Sequence, residues 1–371
     1  MKYTAKCAKC SRETSDPLSY RCTCGKPLEI SSERSFRINE TELQNYSVWR
    51  YARSFPYVNR GEAIVLGEGW TPLVRLSDKL FLKLENLNPT GSFKDRGSTV
   101  LISTIWRSVK KAKGFISEDS SGNAGASIAA YAAHAGLRAR IYVPETVSGP
   151  KLAQIQLYGA EVAKVRGDRG EVAEEAEKTE KGKFYIGHIF HPIFRDGIRS
   201  LAYEIAEQLG WRPPERIYLP VSAGTLLLGV NSGFRHLVES RTLKTAPKIV
   251  ACQTRQVSPL YHRIRGLDYV PPARISSIAD ALVSTDPPLL DLMEQKLKEI
   301  HGDVSIVDEH QILQAFHELA RRGFLVEPSS AVAYAAYKKH VEDEEDVENE
   351  KTVVILTGTG LKAKPSRKPE I

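Results

Sequence analysis

The stretch that most constrains the chain is Glu85-Asn86-Leu87-Asn88-Pro89-Thr90-Gly91-Ser92-Phe93-Lys94-Asp95-Arg96-Gly97. It follows a strand-like run, Phe81-Leu82-Lys83-Leu84. Pro89 and Gly91 then turn the chain tightly, ahead of a helix-like segment from Ser98 to Lys110. Lys94 thus heads a helix, an unusual place for a cation, because helix N-termini carry positive partial charge. That field, with burial, lowers the pKa of an ammonium. A neutral amine near physiological pH is what Schiff-base chemistry requires. For the residue taken alone, a solvated surface lysine is the alternative.

The alternation after Lys94 predicts the fold. Strand-like runs at Gly114–Ser117, Ala139–Val143 and Glu161–Val165 are separated by helices, notably Ala126–His134 and Lys151–Tyr158. Further strands are expected at Arg216–Leu219, Ile249–Gln253, Asp303–Val307 and from Thr352, with a helix over Glu309–Arg322. Short connections between alternating elements indicate parallel sheets covered by helices, an α/β class. With 371 residues, two domains are expected. The acidic run Glu342–Lys351 reads as a solvated loop, and the basic tail from Pro365 to Ile371 as a frayed end.

No run of about 18 apolar residues exists, and Met1–Lys6 lead into cysteines rather than an apolar signal core. A cytoplasmic protein without a membrane partner is therefore expected. The net charge of +7 is spread along the chain, which suits an anionic small molecule or a solvated surface as well as nucleic acid. Plentiful Lys, Arg and Glu lean towards a thermophile.

Four of the five cysteines fall in two close pairs, Cys7/Cys10 and Cys22/Cys24, with Gly25 positioned for a tight turn. This spacing suits one tetrahedral zinc held by four thiolates. Disulfides are disfavoured in a cytoplasmic protein. Four protein ligands close the site, so the zinc is read as structural. A ribbon that binds nucleic acid is the sharper reading, but no aromatic-basic cluster supports it, and no nucleic-acid partner is expected.

The run Asn88–Gly97 resembles the lysine segment of the fold type II pyridoxal-phosphate (PLP) enzymes, and most of all that of the threonine synthases. Other motifs agree in order along nearly the whole chain: Gly67–Leu73, Ser120-Ser121-Gly122-Asn123, the loop Val221-Ser222-Ala223-Gly224-Thr225, Glu327–Ala331, and Thr357-Gly358-Thr359-Gly360-Leu361-Lys362. The resemblance implies that Lys94, beside Phe93, binds PLP covalently. It implies that Asn123 contacts the ring hydroxyl, that Val221–Thr225 cradle the phosphate and that Thr357 meets the pyridine nitrogen. Ser120, Ser121, Gly122 and Asn123 would hold the substrate carboxylate. A homodimer acting on an amino acid is expected, with a zinc-ribbon-like segment at 1–35, a small domain at 89–188 and a large PLP domain at 36–88 and 189–371.

The chain also departs from the threonine synthase pattern. The phosphate loop has one glycine, Gly224. His188 and Ile189 replace an Asn-Ser pair, Phe194 falls where an arginine is usual, with Arg195 one place later, and Ala124 replaces a threonine. His188, His191 and Arg195 could form a different anion pocket, or be ordinary polar residues. Conversion of O-phosphohomoserine and water to threonine and phosphate is the leading expectation. β-replacement or β-elimination on O-phosphoserine, serine or threonine is the alternative, and a non-catalytic zinc-ribbon binder lies outside that class.

Overall fold

Among the described residues fourteen glycines adopt positive φ, several of them just before or after a helix or strand. Between them the chain runs β1 (Ala5–Cys7), β2 (Glu13–Thr14), β3 (Leu28–Ile30), β4 (Leu73–Arg75), β5 (Leu80–Leu84), α1 (Lys94–Lys111), β6 (Phe115–Glu118), α2 (Asn123–His134), β7 (Arg138–Pro144), α3 (Pro150–Leu157), β8 (Glu161–Val165), α4 (Arg169–Glu177), β9 (Lys183–Tyr185), α5 (Pro192–Ile198) and α6 (Ser200–Gln208). It continues through β10 (Arg216–Pro220), α7 (Thr225–Glu239), β11 (Lys248–Thr254), α8 (Pro259–Arg265), α9 (Leu290–Glu299), β12 (Asp303–Val307), α10 (Glu309–Arg321), α11 (Pro328–Asp343) and β13 (Thr352–Leu356). This computed structural model describes residues 3–31, 34–343 and 345–363. The basic tail from Pro365 lies outside the described residues.

Packing divides the chain into two compact units, Met1–Trp70 with Asn88–Ser200, and Thr71–Leu87 with Leu201–Ile371. This division runs along different lines from the three segments read from the sequence.

In the first unit the sheet order is β8-β7-β6-β9, parallel throughout. All four residues of β6 are buried, as suits a central strand covered on both faces. Helices α1 and α5 cross at two glycines. A Cβ on Gly97 would lie 2.7 Å from the Phe194 ring, and one on Gly197 would run into the Arg96 carbonyl. The three-stranded ribbon β2-β1-β3 is antiparallel. Arg195 of α5 donates to the Leu28 carbonyl in β3, Arg21 pairs with Glu177 at 2.5 Å, and the Tyr20 and Tyr185 rings meet edge-on at 4.9 Å.

In the second unit the order is β12-β11-β10-β13-β5-β4, parallel except for the edge strand β4. Lys83, inside β5, is wholly buried and pairs with Glu204 of α6 at 2.5 Å, with further bonds to the Thr71 carbonyl (2.6 Å) and Gln208 (2.8 Å). The acidic run expected to be a solvated loop is partly structural. Val347 is 1 % exposed within the apolar cluster under α11, and Glu350 forms a two-pronged pair with Arg216 at 2.5 and 3.1 Å. One apolar residue with a core to enter outweighs the run's average polarity. Among the described residues no helix is long and apolar enough to cross a membrane.

The glycine crossing generates a test. Gly97→Ala should lower unfolding free energy by about 1–3 kcal/mol, the usual cost of forcing a methyl into a packed contact. Denaturant titration would measure it, and an unchanged midpoint would contradict the crossing.

Candidate active site

Gly91 turns the chain at φ +81°, its N–H donating to the Asn88 carbonyl at 2.7 Å. Asp95 then fastens the turn. It accepts from the Thr90 backbone N–H (2.7 Å), the Thr90 hydroxyl (2.6 Å) and the Ser127 hydroxyl of α2 (2.6 Å). Lys94 is thereby held as the first residue of α1, preceded by Phe93, which offers no side-chain cap. Its Nζ lies 4.8 Å from the Phe93 ring centre and 5.7 Å from that of Phe194. Protein surrounds Lys94 at longer range, while the side chain itself keeps partial exposure. Desolvation lowers its pKa to about 8, with the Glu118 carboxylate pulling upwards and Arg169 downwards.

Glu118 ends β6 and is wholly buried. Its Oε1 lies 2.6 Å from His188 Nδ1, and its Oε2 accepts the His188 backbone N–H at 3.1 Å. Burial raises the Glu118 carboxyl to about 7. Burial, aided by the Lys94 charge, holds the His188 imidazole well below its ordinary range. Asp119 is raised to about 6 by burial and by Glu118, and it accepts from the Tyr185 hydroxyl at 2.8 Å.

The Ser120–Gly122 loop opens α2 with Asn123 as its first residue. Gly125 lets the helix start close to the loop, because a Cβ there would strike the Ser120 carbonyl. Ser121, Gly122 and Asn123 are half-buried, whereas Ala124 is buried.

His188, His191 and Arg195, offered by the sequence as an anion pocket or as ordinary polar residues, have different partners. His188 is coupled to Lys94 and Glu118. His191 caps α5, accepting the Ile193 N–H at 3.3 Å, and burial drives its pKa to about 3. Arg195 donates to the carbonyls of Ile189 (3.0 Å), Phe190 (2.6 Å) and Leu28, and burial lowers it to about 10. Arg199 pairs with Asp196 at 3.0 Å and donates to the Ser54 carbonyl at 2.7 Å.

In the second unit, Val221 closes its strand with a 2.8 Å bond to the Cys252 carbonyl. Gly224 then takes φ +97° as the N-cap of α7, where a Cβ would sit 2.5 Å from Met293 Sδ. Among the described residues, the backbone N–H groups of Ser222, Ala223 and Gly224 donate to no backbone carbonyl. Thr225 begins the helix. Thr357 follows β13, its hydroxyl 2.8 Å from that of Ser330, which also accepts the Gly358 N–H at 2.8 Å.

At the N-terminus the ligand atoms of Cys7, Cys10, Cys22 and Cys24 all lie within 4.8 Å of one another. The Lys9 and Cys10 N–H groups approach Cys7 Sγ at 3.4 and 3.5 Å, and Gly25 turns at φ +79°.

Sequence reasoning missed Glu118 and Asp119, and it gave Ser330, inside the Glu327–Ala331 motif, no role of its own. A signal existed for the first two: acidic residues closing a buried strand mark its carboxyl end, where open α/β sheets bind ligands. The motif did not name Ser330's partner, since its bond to Thr357 spans 27 positions.

A family model described as pyridoxal-phosphate dependent enzyme matches residues 64–358. The threonine synthase of Methanocaldococcus jannaschii is 32% identical over 96% of this chain and 92% of that protein. That of Methanosarcina acetivorans is 32% identical over 97% and 92%. Among solved structures, the serine racemase of Dictyostelium discoideum superposes with a TM-score of 0.62 at 26% identity, covering 78% of this chain and 92% of that one. Maize serine racemase, at 23% identity and a TM-score of 0.67 over 83% and 91%, shares the fold. A family model spanning most of both units, together with relatives alike over nearly the full length, shows that this chain belongs to the fold type II pyridoxal-phosphate dependent enzymes.

Proposed function

We propose that the protein is a threonine synthase that converts O-phosphohomoserine and water into threonine and phosphate. The observation that carries this reading is the likeness to proteins named threonine synthase at 32% identity over 96% and 97% of the chain. The residues present fit PLP. Lys94 is an amine with a lowered pKa, Ser222–Gly224 offer backbone donors without backbone partners among the described residues, and Thr357 carries a hydroxyl rather than a carboxylate.

In this reading Lys94 holds the cofactor, flanked by Phe93, with Asn123 towards the ring hydroxyl. Val221–Thr225 take the phosphate, where small residues admit close approach to backbone donors. Thr357 meets the ring nitrogen without forcing its protonation, and Ser330 orients it. When bound, PLP supplies an electron sink. Lys94 moves the proton at Cα, and a pKa near the working pH lets it both take and return that proton. Ser120–Asn123 hold the substrate carboxylate. Arg195, bonded to three carbonyls, is read as a fastener of α5 and the ribbon rather than as a substrate ligand.

We further propose that Cys7, Cys10, Cys22 and Cys24 hold one zinc. Four sulfurs in one cluster match a closed structural site. The ribbon's bonds to Glu177 and Arg195 give the metal a role in stability.

Lys94→Ala should lose the borohydride-reducible PLP adduct. In the wild type, capture of PLP should quicken about tenfold between pH 7 and 9, because the neutral fraction of an amine with a pKa of about 8 rises with pH. A panel of phosphorylated and free hydroxy-amino acids should give equimolar threonine and phosphate from O-phosphohomoserine; keto acid from serine or threonine instead would favour a dehydratase. Elemental analysis should find about one zinc per chain. Cys7→Ser should lower the Tm yet keep turnover in the folded, PLP-loaded protein.

A further inference from the structure

Glu118 is difficult to explain as a structural residue. A wholly buried carboxyl is costly unless it is paired, and an apolar residue closing β6 would serve packing better. Glu118 is instead clamped from two sides by one residue: His188 gives Oε1 its ring nitrogen at 2.6 Å and Oε2 its backbone N–H at 3.1 Å. Two contacts from one partner fix the imidazole's orientation, directing Nδ1 to the carboxylate and leaving Nε2 for other chemistry. The two members differ in access. The Glu118 side chain has no exposure, whereas that of His188 keeps 8%. The ring is therefore the member a ligand can reach. It packs edge-on to Phe194 at 5.4 Å, the same ring that Lys94 Nζ approaches at 5.7 Å.

We propose that His188, oriented by Glu118, is a second acid–base catalyst beside Lys94, giving a proton to the departing phosphate and recovering one from the water that replaces it. This rests on the threonine-forming reading. Lys94 carries one proton from Cβ to Cγ; as the Cγ–O bond breaks, its electron pair leaves with the phosphate, and His188 Nε2 donates a proton to a phosphate oxygen. As a water oxygen bonds to Cβ, Nε2 takes that water's proton. The pair ends as it began, and the water is divided between the new hydroxyl and the hydrogen phosphate. Glu118 is the positioning residue, and its charge stabilises the protonated ring.

The surroundings keep the ring neutral until an anion arrives. Burial and the positive charges of Lys94 and Arg169 lower the His188 pKa, while Asp119, itself bonded to Tyr185, raises it. An arriving phosphate dianion favours the protonated state, so the acid is charged before the bond breaks.

His188→Gln and Glu118→Gln, each checked for PLP loading and near-ultraviolet circular dichroism, test the assignment. In His188→Gln, threonine formation should fall at least 100-fold, while exchange of the substrate α-proton with D2O, the work of Lys94, stays within threefold of wild type. Glu118→Gln should slow threonine formation at least tenfold and remove the limb of the pH–rate profile near 7. Independently of turnover, 15N spectra of histidine-labelled protein at pH 7 should show His188 Nε2 unprotonated in the protein alone and protonated on adding inorganic phosphate, a change absent in Glu118→Gln. Threonine formation within threefold of wild type in either variant, an equal fall in exchange and turnover, or an Nε2 that phosphate leaves unprotonated would overturn the relay alone. A wild type that makes no threonine from O-phosphohomoserine would overturn the functional reading, and the relay with it.

Discussion

The close approach of α1 and α5 at Gly97 and Gly197 is the contact on which the first unit's site depends. A side chain at either position would hold the helices apart. Because neither has one, Phe194 lies over Gly97 and brings its ring to Lys94 and His188. The Asp95 hydrogen bonds to Thr90 and Ser127 hold the other side of α1 to its own turn and to α2. Lys94 is therefore placed by packing and by a buried carboxylate, and its first helical turn need not position it alone.

Both units bury charge, with different consequences. Lys83 is matched by Glu204 and two further acceptors, so its charge is fully answered within the fold. Lys94 is held at a pKa of about 8 by burial, and the charge of Glu118 does not restore its ordinary value. A buried pair whose members answer each other's charge is inert, whereas groups that burial moves towards neutral pH keep titrating there. Lys94, Glu118 and Asp119, with pKa values near 8, 7 and 6, form such a group.

Much of this was legible in the chain. Glu161–Val165 and Asp303–Val307 are strands with the expected bounds, and the turn at Gly91 and the start of α1 follow Pro89 and the glycine as expected. Other features were not. β9 is only three residues long and half-buried, too short for a period to register. Val347 hides in an acidic run, because composition averages over the one residue that packs. Arg195 looked like an anion ligand because charge is visible in sequence, whereas the three carbonyls that surround it come from Ile189, Phe190 and distant Leu28.

By itself the sequence determined the parallel α/β class, the lysine at a helix head, the four clustered cysteines and the order of loops that relate the chain to its family. These are local properties, set by turn residues, periodicity and short spacing. Only the tertiary structure decided which charges meet. Glu118 and His188 are 70 positions apart, and Ser330 and Thr357 are 27 apart. No local pattern encodes such pairs; strand order and helix crossing bring them together, and burial then sets their chemistry.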